Sequence, residues 1–171
     1  LWVDDLLVAH ATSAKDTMEQ MVLALKKSFK IHLLGDVQDL LGVTITRDRK
    51  SFSLKLHQSK AIKKLLIKAS MDNCNPADSP IQAKSIFSSR DCPDDIERQD
   101  MIEEAKWYRS FLASTIYLSI WSRPDISFAI SRLGKFMHNP GKMHVAALKR
   151  LLRYLKKTID YCLTYNFSTK A

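Results

Sequence analysis

The sequence has little of what builds disulfide scaffolds, linkers or membrane spans. Its 171 residues hold only 3 Cys, at Cys74, Cys92 and Cys162. Their irregular spacing, without a C-x-x-C pair, excludes a disulfide framework and the common zinc patterns. With 4 Gly and 5 Pro, the chain is neither a flexible linker nor a low-complexity tail. No Gly-rich phosphate loop and no G-x-S-x-G elbow is present. No apolar run reaches the roughly 18–20 residues that cross a bilayer, and the opening Leu1-Trp2-Val3-Asp4-Asp5 lacks the basic start of a signal peptide. These absences point to a reducing, intracellular setting. Acidic residues are also scarce, 18 against 27 Lys+Arg, for a net charge of +9.

What is present is a globular composition, 46% hydrophobic and 26% charged, in a length that suits one ordinary domain. The positive charge is concentrated. Residues 86–104 carry 2 basic and 7 acidic groups, whereas residues 105–171 carry 12 basic and 2 acidic. A polyanion such as nucleic acid, an acidic protein or a membrane surface fits that field. The chain opens without Met inside an apolar run, and is read as a piece of a longer protein.

The apolar pattern predicts an α+β chain. Leu1 to Val3 and Leu6 to Ala9 are β-prone runs around Asp4-Asp5, which predicts a hairpin with the acids at its apex. From Ser13 to Lys30, Met18, Met21, Val22, Leu25 and Phe29 recur at helical spacing, with Ser13 or Thr12 as N-cap. Val43–Arg47 and Phe52–Leu56 predict a second hairpin, and residues 58–69 a helix with Ile62, Leu65 and Leu66 inward and four lysines outward. Residues 70–103, with Pro76, Pro80, Pro93 and an acidic run, read as a tether or long surface loop. Helices then follow around Trp107–Leu118, Ile126–Met137 and Met143–Thr158, with a closing strand at Tyr161–Tyr165. Pro124 opens the second of these helices, with Ser122 or Arg123 at its cap.

Asp4-Asp5 is the sharpest chemical feature. Adjacent carboxylates on one apex gain by sharing a divalent cation, and Mg²⁺ or Mn²⁺ suits carboxylate and phosphate oxygens. Two such ions about 3.5–4 Å apart activate a hydroxyl and stabilise a leaving pyrophosphate. Taken alone, the pair fits equally a turn whose side chains cap local amides, which is the commoner use. In the last helix Val145, Leu148, Leu152, Leu155 and Ile159 form one apolar stripe, and Lys142, Lys149, Arg150, Arg153, Lys156 and Lys157 spread over the other side. These six fit either duplex phosphates or a solvated face. In the first case, replacing Lys149, Arg153 and Lys156 is expected to weaken binding and spare the fold. His138 and His144 have no ligand spacing, and Trp107, Tyr108 and Phe111 read as core.

The ordered blocks carry a resemblance. Leu1-Trp-Val-Asp-Asp-Leu-Leu-Val-Ala9 resembles the L-Y-V-D-D-L/M-L-I-A motif of reverse transcriptases from copia-type LTR retrotransposons. Leu41-Gly-Val-Thr-Ile45, Arg47-Asp-Arg49 and Leu56-His-Gln-Ser-Lys60 are similar to the L-G-x-x-I, R-D-R and L-S-Q-x-K stretches of that family. Tyr108-Arg-Ser110, Tyr117-Leu118 and Ser122-Arg-Pro-Asp-Ile126 resemble its Y-x-S, Y-L and T-R-P-D-I blocks. Phe136-Met-His-Asn-Pro-Gly-Lys142 and Leu152-Arg-Tyr-Leu-Lys156 follow in the same order.

The resemblance implies part of a right-hand polymerase, an RNA-directed DNA polymerase encoded within a Pol polyprotein. Residues 1–56 correspond to the C-terminal part of the palm, with a small antiparallel sheet and a packed helix. Residues 57–104 correspond to a helix and the Pro/acidic tether, and residues 105–171 to a helical thumb/connection region. Asp4 and Asp5 correspond to two of three metal carboxylates, and Trp2 and Val3 to the vicinity of the primer terminus. The implied partners are an RNA template, a DNA primer or an RNA–DNA hybrid, a fingers/palm region upstream and a ribonuclease H region downstream, in a cytoplasmic particle or the nucleus, with no membrane. Trp2, Leu33, His57, Ala61, Ala113, Lys157 and Cys162 depart from the family pattern. Two readings follow: a polymerase portion inactive alone, or a non-catalytic retrotransposon-derived remnant acting as a basic nucleic-acid- or protein-binding module.

Overall fold

The computed structural model describes residues 6–83 and 85–167, and the chain separates into two compact units, residues 1–38 and 39–171. In the first unit a 3₁₀ turn, Thr12–Ala14, leads into helix α1, Lys15–Ser28. The turn absorbs Ser13, so the helix starts two residues later than the sequence predicts and has no side-chain cap. Met18, Val22 and Leu25 share one face at helical spacing, but α1 buries no residue fully. Leu6 to Ala9 form no strand. The expected hairpin therefore lacks its returning arm, and Leu6 and Leu7 are each 54% exposed. Its first arm and apex, Leu1 to Asp5, lie outside the described residues.

The second unit combines an antiparallel sheet with a helical core. Strands β1 (Asp39–Leu40), β2 (Val43–Asp48), β3 (Ser53–His57) and β4 (Leu163–Asn166) lie in that order, each antiparallel to its neighbour. Leu41 and Gly42 join β1 to β2 with φ of 50° and 74°, the two positive angles of a tight hairpin turn that matches strand twist. The register pairs Ile45 with Leu56, Leu54 with Tyr165 and Leu56 with Leu163, so alternation gathers these side chains on one face. Asp48 closes the β2–β3 loop by accepting from the Lys50 and Ser51 amides and the Ser51 hydroxyl. Those bonds, the Ser51 hydroxyl first, hold its carboxyl below the usual range.

Helices α2 (Ser59–Lys68), α3 (Asp95–Asp100), α4 (Ile102–Trp121), α5 (Ser127–Gly134) and α6 (Lys142–Lys157) follow. α2 buries Ile62, Leu65 and Leu66, the three positions its spacing marks. α6 buries Val145, Leu148, Leu151, Leu152 and Leu155 and packs on α2, α4 and α5. In α4 the buried positions are Tyr108, Phe111, Leu112, Thr115 and Leu118; Tyr108 and Phe111 are core as the sequence predicts, while Trp107 is only partly buried. The predicted Ile126–Met137 helix is a 3₁₀ turn, Pro124–Ile126, followed by α5, which stops at Gly134. Lys60 on α2 reaches Asp39 on β1 at 3.2 Å, and the Ser122 hydroxyl at the end of α4 donates to Gln58, which joins β3 to α2, at 2.8 Å.

Candidate functional site

Asp4 and Asp5, with Trp2 and Val3, lie outside the described residues. Among the described residues no group of three or more His, Cys, Asp or Glu side chains converges as a metal site. The described chemistry lies in the second unit, along α6.

The six basic residues of α6 divide into two sets. Arg150, Arg153, Lys156 and Lys157 turn toward residues 74–79, which lie along the helix as a strap. Arg150 Nη2 donates to the Ser79 hydroxyl at 3.0 Å, Arg153 Nε to the Asn75 carbonyl at 2.6 Å, and Lys156 Nζ to the Cys74 carbonyl at 2.7 Å. Lys157 pairs with Asp78. That contact holds the Asp78 carboxyl below, and the Lys157 ammonium above, their usual ranges, through the hydrogen bond first and the opposite charge second. Lys149 instead lies over the Trp107 ring at 5.7 Å, and Lys142 is exposed at the N-terminal end. The strap anchors two of the three residues whose replacement the sequence reading expects the fold to ignore. Nothing in the spacing of residues 74–79 signals this, because the acceptors are mostly backbone carbonyls.

A second cluster fixes the far end of α6. Arg123 is 1% exposed, and its Nε and Nη2 bind both oxygens of Asp125 at 2.9 and 2.8 Å. Nη1 donates to the Thr158 carbonyl at 3.0 Å and Nη2 to the Thr158 hydroxyl at 2.5 Å. The Tyr154 hydroxyl donates to Asp125 at 2.8 Å, and the Tyr154 and Tyr161 rings face the guanidinium at 5.6 and 5.4 Å. Burial pushes the Asp125 carboxyl up, but its bonds from Arg123 and Tyr154 and the Arg123 charge outweigh it, so Asp125 stays ionised below the usual range. Burial, with the Asp125 contact, raises the Tyr154 phenol. Arg123 occupies the N-cap position of the turn, as the sequence predicts, but its side chain makes no capping bond there and, like that of Ser122, bonds elsewhere. The Arg-Pro-Asp segment is a structural clamp.

The N-terminal end of α6 is built on Gly141 and His144. A Cβ on Gly141 would lie 1.9 Å from the Asp91 carbonyl oxygen, so only glycine lets the two backbones meet. The Gly141 amide donates to His144 Nδ1 at 2.9 Å, which leaves the ring proton on Nε2, buried and without a partner. Phe136 stacks on the imidazole at 3.9 Å between centroids. His144 is thus a core residue, while His138 is exposed. An open groove of about 380 Å³ between α2 and α4 is lined by Leu65, Tyr117 and Leu118 with Lys64 and Lys68 at its margin, and it gathers no set of reactive groups.

No helix among the described residues is long and apolar enough to cross a membrane. No solved structure matches the chain. Residues 1–83 match the family described as reverse transcriptase (RNA-dependent DNA polymerase). The chain is 34% identical over 168 residues to the retrovirus-related Pol polyprotein of transposon TNT 1-94 from Nicotiana tabacum, covering 98% of this chain and 12% of that protein. It is 32% identical to the Pol polyprotein of transposon RE1 from Arabidopsis thaliana, over 94% of this chain and 10% of that one. An uncharacterized mitochondrial protein of Arabidopsis thaliana is 31% identical over 99% of this chain and 65% of its own length. The chain therefore spans about an eighth or less of these two polyproteins and under two thirds of the shorter relative. With its first 83 residues matching reverse transcriptases and nearly its whole length aligned with retrotransposon polyproteins, the chain is homologous to the Pol polyproteins of copia-type LTR retrotransposons.

Proposed function

We propose that this chain is the later palm and the thumb/connection portion of an RNA-directed DNA polymerase that extends a primer 3′ end. Residues 1–56 are the palm part, 57–104 a helix and tether, and 105–171 the thumb/connection part. The observation that carries the reading is the Asp4-Asp5 pair inside the family match over residues 1–83. Asp4 and Asp5 are assigned as two of three carboxylates for Mg²⁺, with Trp2 and Val3 beside the primer terminus. When bound, the metal supplies charge neutralisation at the reacting phosphate and activation of the primer hydroxyl. Lys142 and Lys149 provide contacts to the backbone of an RNA–DNA hybrid, aided by the other basic residues of α6, and such contacts carry no sequence preference.

Primer extension tests this. The 171-residue chain is assayed alone with Mg²⁺, and again joined to the upstream fingers and palm of a related Pol polyprotein. The expected result is no extension by the chain alone, extension by the joined protein, and loss of it on Asp4→Asn. Extension by the chain alone, or a folded joined protein that fails to extend, overturns the reading. A second reading, a non-catalytic basic binding module, is favoured by one observation: the chain aligns over 99% of its length with a relative much shorter than a Pol polyprotein. Duplex binding without extension by the joined protein supports it.

A further inference from the structure

The strap of residues 74–79 covers the basic side of α6 with weak ligands. Four cations meet it, and it offers them one carboxylate, Asp78; the other acceptors are the Cys74, Asn75 and Pro76 carbonyls and the Ser79 hydroxyl. The Nε–H of Arg150 stays buried with no partner. The strap's carbonyls and hydroxyl accept from these cations but bring no opposite charge. Only an anion adds that attraction and the bidentate fit a guanidinium offers, so this face is under-matched in charge and, at Arg150 Nε, incompletely satisfied. The strap is also lightly fastened. Its further ties to α6 include the Ala77 amide to the Arg153 carbonyl at 3.3 Å and the small, buried Ala77 side chain. Among the described residues between 71 and 88 there is no helix or strand.

We propose that the strap is a displaceable cover over a phosphate-binding face, with strap and duplex backbone as alternative ligands of Arg150, Arg153, Lys156 and Lys157. The inference rests on the reading of α6 as a nucleic-acid contact and adds its regulation. Lys142 and Lys149, which hold no part of the strap, make the first contact with the duplex. Phosphates then take the positions of the carbonyls and of Asp78, and supply an acceptor to Arg150 Nε. The partner is a duplex of any sequence, because the face presents only phosphate-type donors. Binding is accordingly weaker than six cations on one helix face lead one to expect, since part of it is spent on releasing the strap.

The test compares the parent chain with Asp78→Asn and Asp72→Asn, using a short fluorescent random-sequence DNA duplex and anisotropy at several salt concentrations. Both variants remove one negative charge. Only Asp78 contacts α6, whereas Asp72 accepts from its neighbour Asn73. Asp78→Asn is expected to tighten binding about 1.4-fold to fivefold beyond Asp72→Asn, the range an exposed ion pair sets. In the parent chain, duplex is expected to speed alkylation of Cys74, read by peptide mass mapping, because Cys74 begins the strap. Equal affinities of the two variants, with Cys74 alkylation unchanged or slowed while the parent still binds, overturn the cover and leave the nucleic-acid reading standing. Failure of the parent and both variants to bind duplex at low salt overturns both.

Discussion

The Tyr117 hydroxyl, on α4, donates to the carbonyl of Leu41 in the β1–β2 turn, 76 positions earlier in the chain. Leu41 sits at φ 50°, a conformation that costs a non-glycine residue about 1–2 kcal/mol. The tie fixes a strained turn to the helical core. Tyr117→Phe keeps the ring and removes the donor, and is expected to lower stability by about 1 kcal/mol. Chemical denaturation followed by circular dichroism measures it; an unchanged midpoint would show that the turn holds its own conformation.

Much of this architecture is legible in the sequence because it follows local periodicity. The α2 face of Ile62, Leu65 and Leu66, the β2–β3 hairpin and the α6 stripe each come from spacing alone. What the pattern misses is made by contacts between distant segments. β1 is two residues long, and its turn onto β2 through Leu41 and Gly42 is held by Tyr117, 76 positions later. Arg123 looks like a helix cap from its neighbours, yet its guanidinium bonds Thr158, 35 residues later. The basic residues of α6 look alike in sequence, and only the strap divides them. For the acidic pair, sequence supplies the whole argument, since Asp4 and Asp5 lie outside the described residues.

Arg123 offers the sharpest stability test. Its removal leaves the buried Thr158 carbonyl without a donor, while the part-exposed Asp125 carboxylate keeps the Tyr154 hydroxyl. Arg123→Ala is expected to cost about 2 kcal/mol, the penalty of leaving a buried polar group unsatisfied, because the part-exposed Asp125 regains water. Arg123→Lys should restore little, because one ammonium cannot bind both Asp125 oxygens and Thr158 together. Thermal unfolding of the three proteins distinguishes this clamp from an ordinary surface pair, for which both variants would lie near the parent.

His144 gives stability a pH dependence with a definite sign. Burial, the larger influence, holds its imidazolium below the ordinary 6.5, and the Asp91 charge only partly opposes it. The unfolded chain therefore takes up a proton near pH 6.5 while the folded chain does not. The contribution is full above that pH and is lost as pH falls through the window down to the depressed folded value. Protonating Nδ1 would also break the bond from Gly141. His144→Asn keeps an acceptor near Nδ1 but cannot titrate. Its stability relative to the parent should improve as pH falls from about 7.5 to about 5.5; parallel profiles would show that the imidazole remains accessible to protons in the fold.

The final prediction separates binding from folding along α6. Neither Lys142 nor Lys149 bonds the strap, and Lys149 lies instead over the Trp107 ring, a contact worth about 0.5–1 kcal/mol at an exposed site. Replacing both with Ala is expected to lower stability by no more than about 1 kcal/mol. Duplex affinity should fall, and the slope of log affinity against log salt should flatten by slightly less than one unit per lost phosphate contact. Arg153→Ala and Lys156→Ala remove the donors that hold the Asn75 and Cys74 carbonyls, so each is expected to cost about 1 kcal/mol of stability. Their effect on binding combines two opposed changes, a lost phosphate contact and a looser strap, and should be smaller than that of the Lys142/Lys149 pair. Anisotropy titrations at several salt concentrations, set beside denaturation midpoints, give both quantities for each protein. A Lys142/Lys149 variant with the parent's affinity and salt slope would show that this end of the helix is merely solvated.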